Sequence, residues 1–106
     1  MIHNAITLGI ADNFDSFIED NHLVVVDFYA TWCGHCKKIS PIVDEWAHSH
    51  ENIEFLKVDV DKFANLVAEY GVRSMPTFFF FEDGKLIDKV VGANKDKIEN
   101  IIDNLE

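Results

Sequence analysis

The sequence predicts an α/β fold in which a mixed five-stranded sheet carries helices on both faces, four helices in all. Short apolar runs that suit buried strands alternate with segments whose apolar residues recur at helical spacing. Helical crossovers between the first three strands would make those strands parallel. The last two strand candidates flank Asp83-Gly84, a turn signal typical of a β-hairpin, and therefore add an antiparallel pair.

The first half of the chain contains two strand candidates and two helix candidates. A short strand is predicted over residues 5–8, and a buried strand over Leu23–Tyr29, which is apolar apart from one carboxylate. Between them, a short helix is indicated by apolar residues spaced three and four apart: Phe14, Phe17 and Ile18. The same spacing predicts a longer helix later on: Ile39, Ile42, Val43 and Trp46. Pro41 lies inside this second pattern and should kink the helix, because it has no N–H to donate.

The second half of the chain continues the alternation. A strand is predicted over residues 53–60, followed by a short helix that ends near Gly71 and carries Leu66, Val67 and Tyr70. The hairpin joins strands at 77–81 and 86–91. The closing helix has an apolar face formed by Ile98, Ile101, Ile102 and Leu105. The predicted order is β-α-β-α-β-α-β-β-α, and the length suits a single domain over residues 1–106.

Composition narrows the possible functions. Lys and Arg number 9 against 19 Asp and Glu, giving a formal charge of -10, so nucleic acids and anionic membranes are poor partners. No apolar run is long enough to span a bilayer, and the first ten residues lack the Lys or Arg that open a signal peptide. Two cysteines cannot form the disulfide framework of a small secreted scaffold. We therefore expect a cytoplasmic protein in a reducing compartment.

The two cysteines, Cys33 and Cys36, stand directly after the buried strand, where the long helix begins. Thiols separated by two residues can form a disulfide without moving the backbone, and free N–H groups at a helix start favour a thiolate. We expect Cys33 to be partly exposed and to attack a disulfide. Cys36 lies one turn inside the helix, so we expect it to be more buried, to have a higher pKa and to resolve the product.

Other uses of a Cys-x-x-Cys pair fit this chain less well. Zinc needs four ligands, but no second cysteine pair exists, and His48 and His50 are closer together than zinc-binding histidine pairs are. Covalent haem attachment requires histidine directly after the second cysteine, where this chain has Lys37. A purely structural disulfide would close a very short loop and add little stability. We therefore expect no metal and favour a redox role for the pair.

A carboxylate, Asp27, lies inside the apolar strand Leu23–Tyr29. If this strand is central, Asp27 is buried, desolvation raises its pKa toward neutrality, and it can accept the proton of Cys36. If the strand lies at an edge of the sheet, Asp27 is simply exposed to solvent. Lys57, on the neighbouring predicted strand, either lies close to Asp27 and modulates it or is a solvated structural lysine.

Three further residues each have two interpretations. Pro76, which follows Met75 at the start of a strand, is either a trans proline that interrupts a sheet edge or a cis proline. Gly92 either ends a strand or allows the close approach of another chain. Trp32, beside Cys33, is either a core aromatic residue or an exposed platform for a protein substrate.

The segment Trp32-Cys33-Gly34-His35-Cys36 resembles the active site of the thioredoxin superfamily. Similar stretches occur elsewhere at the expected spacings: residues 27–31, Pro41, 57–61, 72–78, 83–85 and 91–92. The resemblance covers the chain from about Asp12 to its end. It implies a thioredoxin fold and a dithiol–disulfide oxidoreductase that reduces disulfides of protein substrates.

The resemblance also implies roles for individual residues. It implies a cis Pro76 against the cysteine pair, with backbone groups of Met75 offered to an extended substrate segment. Trp32, Gly92 and Ala93 would complete this groove. It implies that the chain binds no cofactor itself and receives electrons from NADPH through a flavin-dependent thioredoxin reductase. We expect the protein to be a monomer.

One position departs from the usual thioredoxin pattern. Most thioredoxins have proline between Gly34 and Cys36, whereas this chain has His35, as protein disulfide isomerase domains do. A protonated His35 near the helix start would stabilise the Cys33 thiolate and make the couple more oxidising. We therefore expect Gly34, His35 and Lys57 to influence the redox potential. The alternatives are a more oxidising, isomerase-like domain of the secretory pathway and a redox-gated binding partner.

Overall fold

The computed structural model describes residues 3–106 of the chain, in which five strands and four helices follow one another in the predicted order. The strands are β1 (Ile6–Thr7), β2 (Leu23–Tyr29), β3 (Glu54–Asp59), β4 (Thr77–Glu82) and β5 (Lys85–Val91). The helices are α1 (Phe14–Asp20), α2 (Gly34–Ser49), α3 (Ala64–Tyr70) and α4 (Lys95–Leu105). The expectation of a single domain over residues 1–106 includes Met1 and Ile2, which lie outside the described residues.

β2 occupies the centre of the sheet. The strand order is β1-β3-β2-β4-β5; β1 and β2 run parallel to β3, whereas β4 is antiparallel to both β2 and β5. The predicted α/β fold with a mixed sheet is therefore confirmed. Because helices cover both faces of the sheet, residues 23–28 of β2 are all buried, which explains the nearly continuous apolar sequence of this strand.

One face of the sheet packs against α2 and α4. The buried side chains of this core include Val25, Phe55, Phe80, Ile39, Val43, Trp46, Ile98 and Ile102. Ile98 and Ile102 lie one turn apart and are fully buried, so they hold α4 on the sheet. The side chain of Asn94 caps the start of α4 by accepting a hydrogen bond from the N–H of Lys97 (3.2 Å).

The opposite face packs against α1 and α3 through aromatic rings. The rings belong to Phe14, Phe28, Tyr70, Phe79 and Phe81. Phe28 and Phe79 meet edge to face, with ring centroids 5.4 Å apart and an interplanar angle of 86°. No residue of α3 is fully buried, and its Tyr70 ring lies 5.5 Å from those of Phe14 and Phe79. Tyr70, together with the partly buried Leu66 and Val67, therefore attaches α3 to this face.

The Asp83-Gly84 turn between β4 and β5 has the backbone conformation that its sequence predicts. The φ angles of Asp83 and Gly84 are 50° and 80°, in the left-handed region that both central residues of a type I′ turn require. Each hairpin strand is one residue longer than predicted, because Glu82 and Lys85 pair across the turn.

Other predicted boundaries differ by a residue at each end. β1 is shorter than the predicted 5–8, and it is an edge strand that pairs only with β3 in the described part of the chain. β3 begins and ends one residue inside the predicted 53–60. α2 continues through Pro41, so the proline does not end the helix, and the kink there stays a prediction.

No helix within residues 3–106 is both long and apolar enough to cross a membrane.

We expect Ile102→Ala to lower the free energy of unfolding by about 3 kcal/mol, because truncating this fully buried side chain leaves a cavity beneath α4. The matched control is Ile87→Ala, which truncates the same side chain at 46% exposure on β5. The control should cost under about 1 kcal/mol. Urea unfolding followed by tryptophan fluorescence measures both variants, and equal losses would contradict the packing described for α4.

Candidate active site

Cys33 is the N-cap of α2. It follows the loop that leaves β2, and its N–H donates a hydrogen bond to the carbonyl of Ala30 (3.2 Å). The backbone of Cys33 is extended (φ -88°, ψ 118°), and its Sγ accepts a hydrogen bond from the N–H of Cys36 (3.2 Å). In this position the sulfur faces the positive end of the helix dipole and a free N–H group. A negative charge on the Cys33 sulfur is therefore stabilised locally.

Both cysteines are free thiols and both are buried. Cys33 is 8% exposed and Cys36 is 5% exposed, so the expectation of a partly exposed Cys33 is wrong. The cause is the packing of Tyr29, Val60 and Met75 against the pair. Contact with the Cys33 sulfur therefore requires a close-fitting partner.

The thiol of Cys36 is protonated at neutral pH. Burial and the hydrogen bond with the Cys33 sulfur raise the pKa of Cys36 to about 12, and the negative charge of Asp27 contributes to this rise. The expectation of a raised pKa at this cysteine is confirmed. Because the thiolate is the nucleophile, Cys36 needs a proton acceptor before its sulfur can attack.

Asp27 is buried in the central strand, with 4% of its surface exposed. Burial raises the pKa of the Asp27 carboxyl to about 7, while the charge of Lys57 lowers it and that of Asp44 raises it. The Oδ1 atom of Asp27 is buried and has no hydrogen-bond partner among the described residues. The edge-strand interpretation is therefore wrong, and this carboxyl changes its protonation state near neutral pH.

Lys57 lies opposite Asp27 in the pairing of β2 with β3, yet α2 binds its ammonium group. The Nζ atom donates hydrogen bonds to Ser40 Oγ (3.1 Å) and Asp44 Oδ1 (3.0 Å). Sequence analysis did not single out Ser40 or Asp44. Their spacing of four residues, on the helix that covers this end of β3, was the signal that could have revealed them.

The Met75–Pro76 peptide bond is cis, which confirms the expectation drawn from the resemblance and excludes the trans alternative. The carbonyl oxygen of Met75 accepts a hydrogen bond from the thiol of Cys33 (3.5 Å). The carbonyl of Pro76 accepts a hydrogen bond from the N–H of Gly92 (2.8 Å). These contacts place Met75 and Pro76 beside Cys33 and attach Gly92 to Pro76. We refer to the surface formed by these three residues as the groove beside Cys33.

Exposed groups border this groove. Trp32 is 65% exposed, and its indole N–H donates a hydrogen bond to the carboxylate of Asp61 (3.0 Å), so the core interpretation of Trp32 is wrong. Gly92 has a φ of +96°, and nothing lies within 4 Å of the position that a Cβ would take. Its backbone is therefore open to the close approach of another chain. Ala93, the next residue, is exposed.

Gly34 and His35 lie in the first turn of α2, and both are exposed. The imidazole of His35 borders a shallow cleft together with Ala93 and Lys95, which follow β5. His35 is therefore accessible from the same end of the molecule as the groove beside Cys33.

Residues 3–106 contain one group of three side chains that could hold a metal ion: His22, Glu82 and Asp83, all exposed. The group surrounds the hairpin turn at the start of β2, whereas the cysteines follow the other end of that strand. The Nδ1 atom of His22 lies 2.7 Å from Asp83 Oδ1, so an ordinary ion pair accounts for the arrangement. Within the described residues, neither cysteine belongs to such a group.

Comparison with known proteins gives consistent matches. The thioredoxin family model matches residues 6–104. Thioredoxin-2 of Pyricularia oryzae is 45% identical over 101 residues, which cover 95% of this chain but only 57% of that protein. Thioredoxin-1 of Schizosaccharomyces pombe is 44% identical over 89 residues, covering 84% of this chain and 86% of that protein. The crystal structure of Malassezia sympodialis thioredoxin superposes with a TM-score of 0.88 at 38% identity, covering 96% of this chain and 90% of that one.

We expect the reduced Asp27→Asn variant to be more stable than the reduced wild type at pH 8, but not at pH 4. The folded pKa of Asp27 is about 7, above its ordinary value of 3.8, so folding binds a proton between these values. Stability from this group is therefore fully present below pH 4 and is lost as the pH rises through 7. A pKa difference of this size corresponds to about 4 kcal/mol, and asparagine removes the loss.

Urea unfolding in the presence of a reductant, repeated between pH 4 and pH 8, tests this expectation. Asp20→Asn, at an exposed position of α1, is the matched control and should leave the pH dependence of the wild type unchanged. Parallel stability curves for Asp27→Asn and the wild type would show that the carboxyl is not buried as described.

Proposed function

This chain belongs to the thioredoxin family of thiol–disulfide oxidoreductases, and we propose that it reduces disulfides of protein substrates through Cys33 and Cys36. The observation that carries the proposal is the Cys33 cap. Its sulfur receives the N–H of Cys36 at the start of α2, with a second thiol in the same turn. One sulfur is thus prepared for attack and another is in reach to release the product.

In the first step, the Cys33 thiolate attacks one sulfur of the target disulfide. The target S–S bond breaks, a new S–S bond forms between Cys33 and the target, and the departing target sulfur takes up a proton from water. The hydrogen bond from the N–H of Cys36 and the helix dipole stabilise the attacking thiolate.

In the second step, Cys36 resolves this mixed disulfide. Its thiol gives a proton to the Asp27 carboxylate, and its sulfur attacks the sulfur of Cys33. The target leaves as its second thiol, and the two electrons that reduce it come from formation of the Cys33–Cys36 disulfide. Two facts support Asp27 as the acceptor: it is close enough for its charge to act on Cys36, and its pKa of about 7 matches neutral conditions.

We further propose that the groove beside Cys33 binds an extended segment of the target. Met75 would offer backbone groups to this segment, Pro76 would lie against the cysteine pair, and Trp32, Gly92 and Ala93 would complete the groove. The open space above Gly92 supports this role, because a chain can approach the backbone there without meeting a side chain. In the same proposal, Gly34, His35 and Lys57 influence the redox potential.

Regeneration of the dithiol completes the proposed cycle. Thioredoxins use their own dithiol and no prosthetic group, so electrons must come from another protein. We propose an NADPH-dependent thioredoxin reductase as this donor, a monomeric state, and a reducing compartment such as the cytosol. The two-cysteine composition supports the reducing compartment, and the exposed Gly34 and His35 leave the surface next to the cysteine pair accessible to a reductase.

Two other functions receive less support. His35 resembles the residue found in oxidising isomerase domains, but the relatives and structures described above are thioredoxins, so the isomerase-like alternative is not favoured. A purely binding role would give no function to the buried Asp27 carboxyl or to the second thiol beside Cys33. The dithiol reaction therefore remains the proposal that uses the whole site.

Replacement of either cysteine separates the two steps. Cys36→Ser is expected to accumulate a Cys33–target mixed disulfide, visible by mass spectrometry, because no second thiol can resolve it. Cys33→Ser should form no such adduct. Both variants should lose insulin reduction with NADPH and a thioredoxin reductase by more than about a hundredfold. Undiminished turnover by Cys33→Ser would contradict the proposal.

We expect His35→Pro to lower the reduction potential, making the dithiol a stronger reductant. In our proposal a protonated His35 stabilises the Cys33 thiolate, and the change removes its imidazole. Proline is compatible with the first turn of a helix. The shift should lie within the roughly 90 mV that separates thioredoxin from isomerase couples. Titration against glutathione measures it, with His48→Gln near the far end of α2 as the control. A potential that is unchanged or higher would contradict the expectation.

A further inference from the structure

The proposed function includes Lys57 among the residues that influence the redox potential, but it gives no role to the ion pair of Lys57 with Asp44. Lys57 stands opposite Asp27 in the sheet, and its positive charge lowers the pKa of the Asp27 carboxyl. In the described part of the chain, however, the ion-pair partner of Lys57 is Asp44, not Asp27. The lysine is therefore near the proposed proton acceptor but directed toward α2.

Two side chains from one face of α2 hold Lys57 in this direction. Ser40 Oγ accepts a hydrogen bond from the ammonium at 3.1 Å, and Asp44 Oδ1 accepts another at 3.0 Å. The side chain of Lys57 is only 16% exposed, so its charge is poorly solvated and depends on these two acceptors. Without them, the buried Oδ1 atom of Asp27, which has no hydrogen bond in the described structure, would be an alternative acceptor.

We propose that Ser40 and Asp44 are positioning residues for the resolving step, holding the Lys57 ammonium on α2 so that Asp27 remains a strong enough base to accept the proton of Cys36. The inference rests on the proposed role of Asp27. A carboxylate paired directly with an ammonium group is stabilised in its ionised form and is a weaker base. A lysine whose ammonium is held on α2 still stabilises the Asp27 carboxylate through its charge, but it does not form an ion pair with it.

Few ionisable groups interact with the carboxyl that this proposal invokes. They are Lys57 on β3, Asp44 and Cys36 on α2, and Tyr29 on β2 itself. β4 presents the uncharged Phe78 opposite Asp27, and α4 contributes apolar side chains to this core. Lys57 and Asp44 are the two groups whose charges act on the Asp27 carboxyl in opposite directions.

Titration of the Asp27 carboxyl by carbon-13 NMR, in the reduced full chain, tests the proposal. Asp44→Asn should lower the pKa of Asp27 by about one pH unit, because the variant loses a negative charge and releases Lys57. Ser40→Ala should shift the pKa in the same direction by less. Glu45→Gln is the matched control, since it makes the same charge change at the next, exposed position of α2. This control should leave the titration of Asp27 unchanged.

A double variant distinguishes positioning of Lys57 from a direct effect of the Asp44 charge. In a Lys57→Met background there is no ammonium to redirect, so Asp44→Asn should shift the pKa of Asp27 by less than half as much as in the wild type. An equal shift in both backgrounds would overturn the proposal, because Asp44 would then act by its own charge alone. Absence of any shift in Asp44→Asn would overturn it too.

The kinetic consequence is measured separately from the titration. The pH midpoint of the resolving rate in Asp44→Asn should move together with the pKa of Asp27. A moved pKa with an unmoved midpoint would overturn the role in resolution. The titration does not depend on catalysis, so a failure of Asp27 as proton acceptor would appear as an unimpaired resolving rate in Asp27→Asn, whatever the outcome for Lys57.

Discussion

The burial of the Asp27 carboxyl in the central strand is the constraint on which the site depends. An isolated charge in such a position costs several kcal/mol. The cost is reduced because the carboxyl, with a pKa of about 7, is protonated at lower pH, and because the positive charge of Lys57 stabilises its ionised form. The same desolvation makes the carboxyl able to change protonation near neutral pH. An exposed aspartate on an edge strand would avoid the cost but, with an ordinary pKa, would be a weak base for the proton transfer that we propose.

The strand order brings the other parts of the site to this carboxyl. β2 lies between β3 and β4, so Lys57 and the start of β4 are both its neighbours. Because β4 is antiparallel to β2, it begins where β2 ends, which places Met75 and Pro76 beside the loop that carries Cys33. A single hydrogen bond from Gly92 to Pro76 then attaches the end of β5 to the same groove. A site assembled from five separate segments thus follows from the position of one strand.

Sequence patterning predicted the features that depend on local spacing. The order of elements, the Asp83-Gly84 hairpin and the burial of Asp27 all follow from periodicity, turn chemistry and an unbroken apolar strand. The features that it missed depend on contacts between distant segments. Cys33 is buried by Met75, which lies 42 residues away in the chain, and Lys57 is bound by Ser40, 17 residues away. The contact of Cys33 with Met75 has no periodic signature. The four-residue spacing of Ser40 and Asp44 indicates that they share a face of α2 but does not identify Lys57 as their partner. The cis bond before Pro76 was expected only through family resemblance.

We propose that Asp27 takes the proton of Cys36 when the mixed disulfide is resolved. The most direct test of this role is the rate of target release from the Cys33 mixed disulfide, measured by rapid mixing as a function of pH in the wild type and in Asp27→Asn. We expect the wild-type rate to rise with pH around a midpoint near 7. The variant should lack this rise and release the target roughly a hundredfold more slowly at neutral pH. Superimposable pH profiles for the two proteins would contradict the role of Asp27 as proton acceptor.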